Sequence, residues 1–177
     1  MRNQNQEAVS PVVGVMLMLV VTIIIAAVVS AFAGGLSSGT EKAPNVQIKA
    51  SYSQADGIRI EHMGGDAIGT QMTTVMVRPS GTFGSAEHQI SIVNKSTITN
   101  SEGTAWKKPS GVSGVKSFKA GDVNYIKPPY HTGPFLQPSA SATYRFDNVA
   151  NIGNTFYLEF ADDSGKVYAK TEVIISA

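Results

Sequence analysis

A block of 33 residues without a charged side chain constrains this fold more than any other feature. It runs from Ala8 to Thr40, and the rest of the chain holds all 14 Lys and Arg and all 13 Asp and Glu residues. At about 1.5 Å per residue, the 22 residues from Val12 to Ala33 form a helix of roughly 33 Å, against roughly 30 Å of bilayer hydrocarbon. The sequence therefore predicts one helix that is able to cross a membrane.

The composition and the ends of this segment support a helix. Thirteen of the 22 residues are Val, Ile, Leu or Phe, which contribute roughly −0.3 to −0.6 kcal/mol each to insertion. Backbone groups in hydrocarbon have to bond internally, so a lone spanning segment is helical. Ser10 is a good N-cap and Pro11 suits the first helical position. Gly34-Gly35 and the Ser- and Gly-rich residues that follow predict the end of the helix.

Three interpretations of the apolar segment compete. A secretory signal is favoured by Ala31-Phe32-Ala33, a small-x-small cleavage pattern, but its apolar core of about 7 to 15 residues is shorter than this one. A simple membrane anchor accounts for the hydrophobicity. A helix that packs against its own copies is favoured by two neighbouring rows of small residues, because such rows let helices approach closely. These rows are Ala26, Ser30 and Gly34, and Ala27, Ala31 and Gly35.

The junction before the block carries a pattern of its own. Glu7 and Ala8 end a short polar leader, and Val9-Ser10-Pro11-Val12-Val13-Gly14 opens the apolar segment. This junction resembles the N-terminal region of archaeal type IV pilins. The resemblance implies cleavage between Ala8 and Val9 by a class III (prepilin-type) signal peptidase, which removes residues 1–8 and leaves the helix on the mature protein.

Two further comparisons refine the resemblance. Bacterial type IV pilins carry a Glu where Val13 stands here, and the segment lacks the Gly-rich start of archaellins, which favours an adhesive pilus over a swimming filament. A second element, the strand from Ile58 that ends in His62-Met63-Gly64-Gly65-Asp66, also resembles one seen in archaeal pilins.

The resemblance implies a structural subunit of an archaeal type IV pilus-like surface filament that serves attachment, without enzymatic activity, cofactor or metal. Its implied partners are copies of itself, prepilin peptidase, the pilus assembly machinery and, for the precursor, the cell membrane. The leader is expected in the cytoplasm and the head in the extracellular filament. The net charge of +1 argues against a nucleic-acid partner. The alternative is a monomeric, single-pass membrane-anchored extracellular binding protein, and a tethered extracellular enzyme is a further rival.

The remainder of the chain shows the period-2 alternation of half-buried strands. We therefore predict an α+β chain: a leader at 1–8, a helix at 9–36, a linker at 37–44 and an antiparallel β-sandwich head at 45–177, of Ig-like or Greek-key size. The absence of Cys excludes disulfides, which a head of this size does not need. The alternating stretches are residues 46–50, 58–61, 90–92, 156–160 and 167–175.

Few residues of the head are candidates for a catalytic or metal-binding role. His62 near Asp66 is compatible with an acid–base or metal site, but a turn in which the imidazole bonds local backbone is favoured. His88 and His131 lie apart from it without metal-ligand spacing. Asp162-Asp163-Ser164-Gly165 lacks the acids of a calcium loop, so a hairpin turn is preferred.

Three surface features remain open. Trp106-Lys107-Lys108 suits either nucleic-acid stacking or, preferably, a solvated loop. Asn94-Lys95-Ser96 is the single N-x-[ST] sequon of the chain and makes Asn94 a candidate acceptor for an N-linked glycan. An aromatic and proline cluster is either an adhesive or inter-subunit loop or, as we favour, a loop packed over the sandwich edge. Its members are Tyr125, Pro128, Pro129, Tyr130, Pro134 and Phe135.

Overall fold

The structure is a computed structural model that describes residues 9–36, 43–112 and 114–177. It divides into two compact units, Met1–Lys42 and Ala43–Ala177. The predicted leader, with Glu7 and Ala8, and most of the predicted linker lie outside the described residues.

The described part of the N-terminal unit is a single helix, α1, which runs from Val9 to Leu36. Ser10 and Pro11 therefore lie in its first turn instead of directly before it. Pro11 fits there because the first backbone N–H groups of a helix have no acceptor within the helix. The side chains from Pro11 to Ala33 are all exposed within this one chain.

The C-terminal unit is a β-rich head with short helical turns. Its short helix α2 spans Gly133–Leu136, and 3₁₀ turns span Gly81–His88, Ala142–Tyr144 and Val149–Asn151. The strands of the described residues are β1 (Val46–Ser53), β2 (Gly57–Gly65), β3 (Ile68–Gly69), β4 (Thr74–Pro79), β5 (Ser91–Ile92), β6 (Thr99–Asn100), β7 (Ser117–Phe118), β8 (Val123–Ile126), β9 (Thr155–Ala161) and β10 (Val167–Ser176).

Eight strands form one curled sheet in the order β5-β4-β9-β10-β1-β2-β8-β6, and β3 pairs with β7 apart from it. Two four-stranded antiparallel halves meet where β1 and β10 pair in parallel, with Tyr52 opposite Ile175 and Ser53 opposite Ser176. The predicted α+β class with an antiparallel β-sandwich head is confirmed. The parallel junction was not predicted, because alternation within a strand carries no information about the direction of its partner.

The core of the head lies on the inner faces of these strands. Phe156, Leu158 and Phe160 of β9 are completely buried, as their alternation predicts. The Phe156 ring stacks on Phe146 with centroids 4.2 Å apart and meets the Tyr52 ring edge-on at 5.6 Å. Phe146 comes from a loop without strand pattern, so the sequence analysis did not place it in the core.

In one stretch, the alternation in the sequence does not match the burial of the side chains. Ile90 and Ile92 are 57% and 67% exposed, whereas the adjacent Val93 is buried. The backbone N–H of Val93 donates to the carbonyl of Val75 at 2.8 Å, which holds Val93 against β4. The stretch 90–92 therefore alternates without facing the core, because Ile92 lies opposite Met76 of β4, which alternates with the buried Val75 and Val77.

Candidate functional site

The surface of α1 is the largest apolar feature of the described residues. The stretch Pro11–Ala33 is long and apolar enough to cross a membrane by length and composition, and none of it is buried. The hydroxyl of Thr22 donates to the carbonyl of Leu19 at 2.9 Å, so this polar side chain is satisfied within the helix. A helix of this kind can lie in hydrocarbon without an unpaired hydroxyl at its centre.

The apolar side chains surround the helix instead of forming one stripe. Their exposed fractions extend from 44% at Val21 to 73% at Met18. An amphipathic helix of a soluble domain buries one face and shows a polar one. A contiguous apolar surface of this extent marks contact with lipid or with other protein surfaces.

The small residues of α1 occupy one side of this surface. Ala26, Ala27, Ser30 and Ala31 are all exposed, and Gly34-Gly35 belongs to the last turn of the helix. Residues four apart lie one above the other on a helix face. At the other end, a Cβ added to Gly14 would meet no atom within 4 Å, so no contact in this chain requires a glycine there.

The motif from His62 to Asp66 closes the end of the β1–β2 pair. The buried His62 imidazole bonds the main-chain oxygen of Asp66 through Nε2 at 3.0 Å and packs edge-on against Phe118. The Asp66 carboxylate accepts from the backbone N–H of Asn45 at 3.0 Å. This geometry is the local backbone role that the sequence analysis favoured for His62, and both side chains are engaged in holding the turn.

The backbone geometry at Gly65 explains why this motif requires a glycine. Its φ is +99°, and a Cβ there would lie 2.1 Å from the carbonyl oxygen of Asn45. A Cβ on the adjacent Gly64 would meet no atom within 4 Å. The close passage of two backbones therefore requires a glycine at one of the two positions only.

One of the two remaining histidines, His131, has a structural role. His131 is buried and bonds the Gln54 carbonyl through Nε2 at 2.9 Å, and the His88 side chain lies outside what the structure describes. No group of three or more His, Cys, Asp or Glu that could hold a metal ion is present in the described residues.

Asp162 organises the turn between β9 and β10, as the predicted hairpin requires. Its carboxylate accepts from the Ser164 hydroxyl and from the backbone N–H groups of Ser164 and Lys166, each of the latter at 2.9 Å. The Ser164 hydroxyl bond, followed by the Lys166 backbone bond, lowers the pKa of Asp162 below its ordinary value. All donors to this carboxylate are local to the turn.

A groove of about 420 Å³ lies on the head where loops distant in sequence meet. Its walls include Thr70, Gln71, Asn94 and Lys107, and the side of Trp106 also borders it. Trp106 is only 1% exposed, so its ring does not offer a face for base stacking. Asn94 and Trp106 are separate candidates in the sequence, and their proximity depends on the fold.

Lys95 closes part of the same groove. Its ammonium group donates to the Gln71 carbonyl at 2.7 Å, and partial burial lowers the pKa of this amine. Asp163 acts in the opposite direction by Coulombic attraction, and Lys107 acts in the same direction as burial. The cation therefore ties two loops together and is oriented by the protein itself.

The aromatic and proline cluster divides into a packed part and an exposed part. Leu136 of α2 is buried, whereas the rings of Tyr130 and Phe135 are 44% and 49% exposed. These two rings meet edge-on with centroids 5.3 Å apart. The cluster thus covers the head and also presents an aromatic pair at its surface.

The N-terminal segment matches a known family. Residues 7–48, which contain α1, match the family described as "Archaeal Type IV pilin, N-terminal". An uncharacterized protein of Archaeoglobus fulgidus is 39% identical over 79 residues, which are 43% of this chain and 55% of that protein. The chain thus spans about half the length of the curated relative that it matches. The predicted resemblance to archaeal type IV pilins is confirmed, and it rests on the segment that carries the apolar helix.

Proposed function

We propose that this chain is a pilin, the structural subunit of an archaeal type IV pilus-like surface filament. The observation that carries the proposal is that one segment both matches the pilin N-terminal family and forms a helix with an apolar surface on every side. In water, such a helix would leave its apolar surface exposed. A membrane and a helical filament core both provide an apolar environment for it.

The precursor is anchored in the membrane by α1, with its leader in the cytoplasm and its head outside. Cleavage between Ala8 and Val9 by prepilin peptidase then releases the leader. Because this cut lies before the apolar segment, the helix stays on the mature protein. Support comes from the pilin match that begins at residue 7 and from the start of α1 at Val9.

Assembly machinery then transfers the helix from lipid into a bundle of copies. Both environments are apolar, so the hydrophobic effect does not distinguish them strongly and close packing has to decide. The rows Ala26, Ser30, Gly34 and Ala27, Ala31, Gly35 allow helix backbones to approach closely. We assign this side of α1 to the contact between subunits.

The head forms the outer surface of the filament and serves attachment. The Tyr130–Phe135 pair supports this part of the proposal, because an exposed aromatic pair combines a large apolar area with a polar hydroxyl suited to a contact surface. Replacing both rings with Ala is expected to reduce attachment of cells to surfaces while filaments persist.

Mass spectrometry of the native N-terminus tests the proposal most directly. The expected mature chain begins at Val9 and is recovered from filaments sheared off the cell surface. A mature chain that begins at Met1 and stays in the membrane fraction would support the alternative, a monomeric anchored binding protein. A start at Gly34 would indicate an ordinary secretory signal and contradict the pilin assignment.

A substitution in the small-residue rows tests the packing of α1. Ala31→Phe is expected to leave membrane insertion intact and to abolish filaments, because the ring separates neighbouring backbones. Ile25→Phe is the matched control, since at about 100° per residue Ile25 lies opposite the middle of the two rows and about 120° from Ala31. Normal filaments with Ala31→Phe, or equal loss with Ile25→Phe, would contradict the assignment of these rows to the interface.

A further inference from the structure

The loop after β5 holds the two side chains of the sequon in contact. Asn94 is exposed, and its Oδ1 accepts from the backbone N–H of Ser96 at 3.0 Å and from the Ser96 hydroxyl at 2.8 Å. The Asn94 Nδ2 has no hydrogen-bond partner among the described residues of the chain. The carboxamide therefore anchors the turn through its oxygen and leaves its nitrogen free.

A second turn of the head shows what distinguishes this one. Asn100 also accepts backbone N–H bonds with Oδ1, from Glu102 at 3.1 Å and from Thr104 at 2.8 Å. The residue two positions after it is Glu102, so this turn lacks the hydroxyl that the N-x-[ST] acceptor pattern requires. Of these two turns, the one at Asn94 combines an exposed carboxamide with a hydroxyl in contact.

Asn94 also stands at the wall of the 420 Å³ groove described above. The exposed Gln71 and Lys107 place polar groups along the groove, and Ile92, which is 67% exposed, adds apolar surface beside them. A sugar ring presents hydroxyl groups around its edge and C–H groups on its faces. A cavity with both kinds of lining suits the first sugar of a chain attached at its wall.

We propose that Asn94 carries an N-linked glycan whose first sugar lies in this groove. In the attachment step, Asn94 Nδ2 forms a bond to the anomeric carbon of an oligosaccharide carried on a lipid-linked phosphate. The bond between that carbon and the phosphate oxygen breaks, the phosphate leaves with the electron pair, and Nδ2 loses one proton. The proposal rests on the proposed function in one respect, the export of the head.

Mass spectrometry of peptides from the native protein tests the attachment. The peptide with Asn94 is expected to carry a hexose- or hexosamine-containing mass increment, which Asn94→Gln and Ser96→Ala abolish. Ser96→Thr is expected to retain it, because Thr keeps the hydroxyl. Asn100→Gln is the matched control and is expected to leave the increment on Asn94.

An unmodified Asn94 peptide in a head recovered outside the cell would overturn the attachment. So would an increment that persists in Asn94→Gln. Circular dichroism of each variant identifies any loss of the mass increment that follows from misfolding. Ser96→Thr is the decisive variant, because it keeps the hydroxyl and differs from the native turn by one methyl group.

The fluorescence of Trp106, the single Trp of the chain, tests the position of the sugar in the groove. If the first sugar occupies the groove, enzymatic removal of the glycan is expected to shift the Trp106 emission, because the indole borders the groove. Quenching by acrylamide is expected to stay low in both forms, because Trp106 is only 1% exposed without a glycan. The same treatment of Asn94→Gln is expected to change nothing. A modified Asn94 with unchanged Trp106 fluorescence would overturn the position of the sugar.

The same sample separates this proposal from the pilin assignment. The N-terminal peptide reports cleavage at Val9, and the Asn94 peptide reports glycosylation. A Val9 start with unmodified Asn94 overturns the glycan only. A Met1 start with modified Asn94 overturns the pilin assignment and supports an exported, glycosylated anchored protein.

Discussion

Helix α1 and the β head place apolar side chains in opposite situations. Ile24 near the middle of α1 is 57% exposed within the chain, whereas Phe156 and Phe160 of the head are completely buried. The head thus contains its own core and can be understood from one chain. The apolar surface of the helix is buried only when lipid or other protein surfaces cover it, so the stability of the helix depends on its surroundings.

The two regions also differ in the role of their small residues. In the head, Gly65 is required by the nearby backbone of Asn45, a contact within the chain. In α1, the space beside Gly14 is empty within 4 Å. A contact within the chain therefore requires the glycine at position 65, whereas no such contact requires the glycine at position 14.

Removal of a core ring is expected to have the largest effect, and it is confined to the head. Phe156→Ala should lower the free energy of unfolding of the head by about 3 to 5 kcal/mol, because the cavity cannot close between Phe146 and Tyr52. Thermal unfolding followed by Trp106 fluorescence in detergent measures it. Phe135→Ala, which removes a half-exposed ring, should cost less than about 1 kcal/mol. Equal losses in both would contradict the described core.

The same Ile→Lys substitution should have a large effect in the helix and a small one in the head. Ile24→Lys places a charge near the centre of the apolar segment and should disfavour insertion by roughly 3 to 4 kcal/mol. Carbonate extraction of membranes measures the loss, and filaments should be absent. Ile174→Lys on the head, where Ile174 is 64% exposed, should change stability by less than about 0.5 kcal/mol. Filaments from the Ile24→Lys variant would rule out burial of α1 in an apolar environment.

Adjacent glycines of the head should respond differently to the same change. Gly65→Ala should lower the free energy of unfolding by at least about 2 kcal/mol, because a Cβ is strained at this φ and strikes the Asn45 carbonyl. Gly64→Ala meets open space and should stay within about 0.5 kcal/mol of the native value. Chemical denaturation followed by Trp106 fluorescence compares them, and a tolerated Gly65→Ala would show that the two strands do not approach as described.

The smallest expected effect is the pH dependence of the Asp162 turn. The lowered pKa of Asp162 means that its contribution to stability is present above its ordinary value of 3.8 and is lost as the pH falls below it. Asp162→Asn keeps an acceptor but no charge, so its stability difference from the native protein should shrink between pH 5 and pH 3. Melting temperatures across that range measure it.

Asp163→Asn is the control for this pH profile. The neighbouring Asp163 accepts no hydrogen bond among the described residues and attracts Lys95 by charge alone. A loss of stability at low pH that Asp162→Asn removes and Asp163→Asn keeps therefore depends on the hydrogen bonds of the turn. A constant difference for Asp162→Asn at all pH values would show that the charge does not contribute.

Local patterns predicted those parts of the molecule in which neighbours along the chain decide the structure. The charge-free block predicted α1, and alternation predicted the buried faces of β1, β2, β9 and β10. Alternation was misleading at Ile90 and Ile92, because Ile92 pairs with the half-buried Met76 of β4 while Val93 faces the core. The junction at Ala8 and Val9 indicated a resemblance to archaeal type IV pilins, which the match at residues 7–48 confirms for the N-terminal segment.

By itself, the sequence determined that one segment is an apolar helix and that the rest alternates as strands, because hydropathy and period are properties of consecutive residues. Only the tertiary structure decided that β1 and β10 join in parallel, that Phe146 enters the core and that Asn94, Gln71 and Lys107 border one groove. These contacts join residues far apart in the chain, and their choice depends on how all strands pack together. The charge-free block thus predicts a helix without a core of its own, and the head provides the folded surface attached to it.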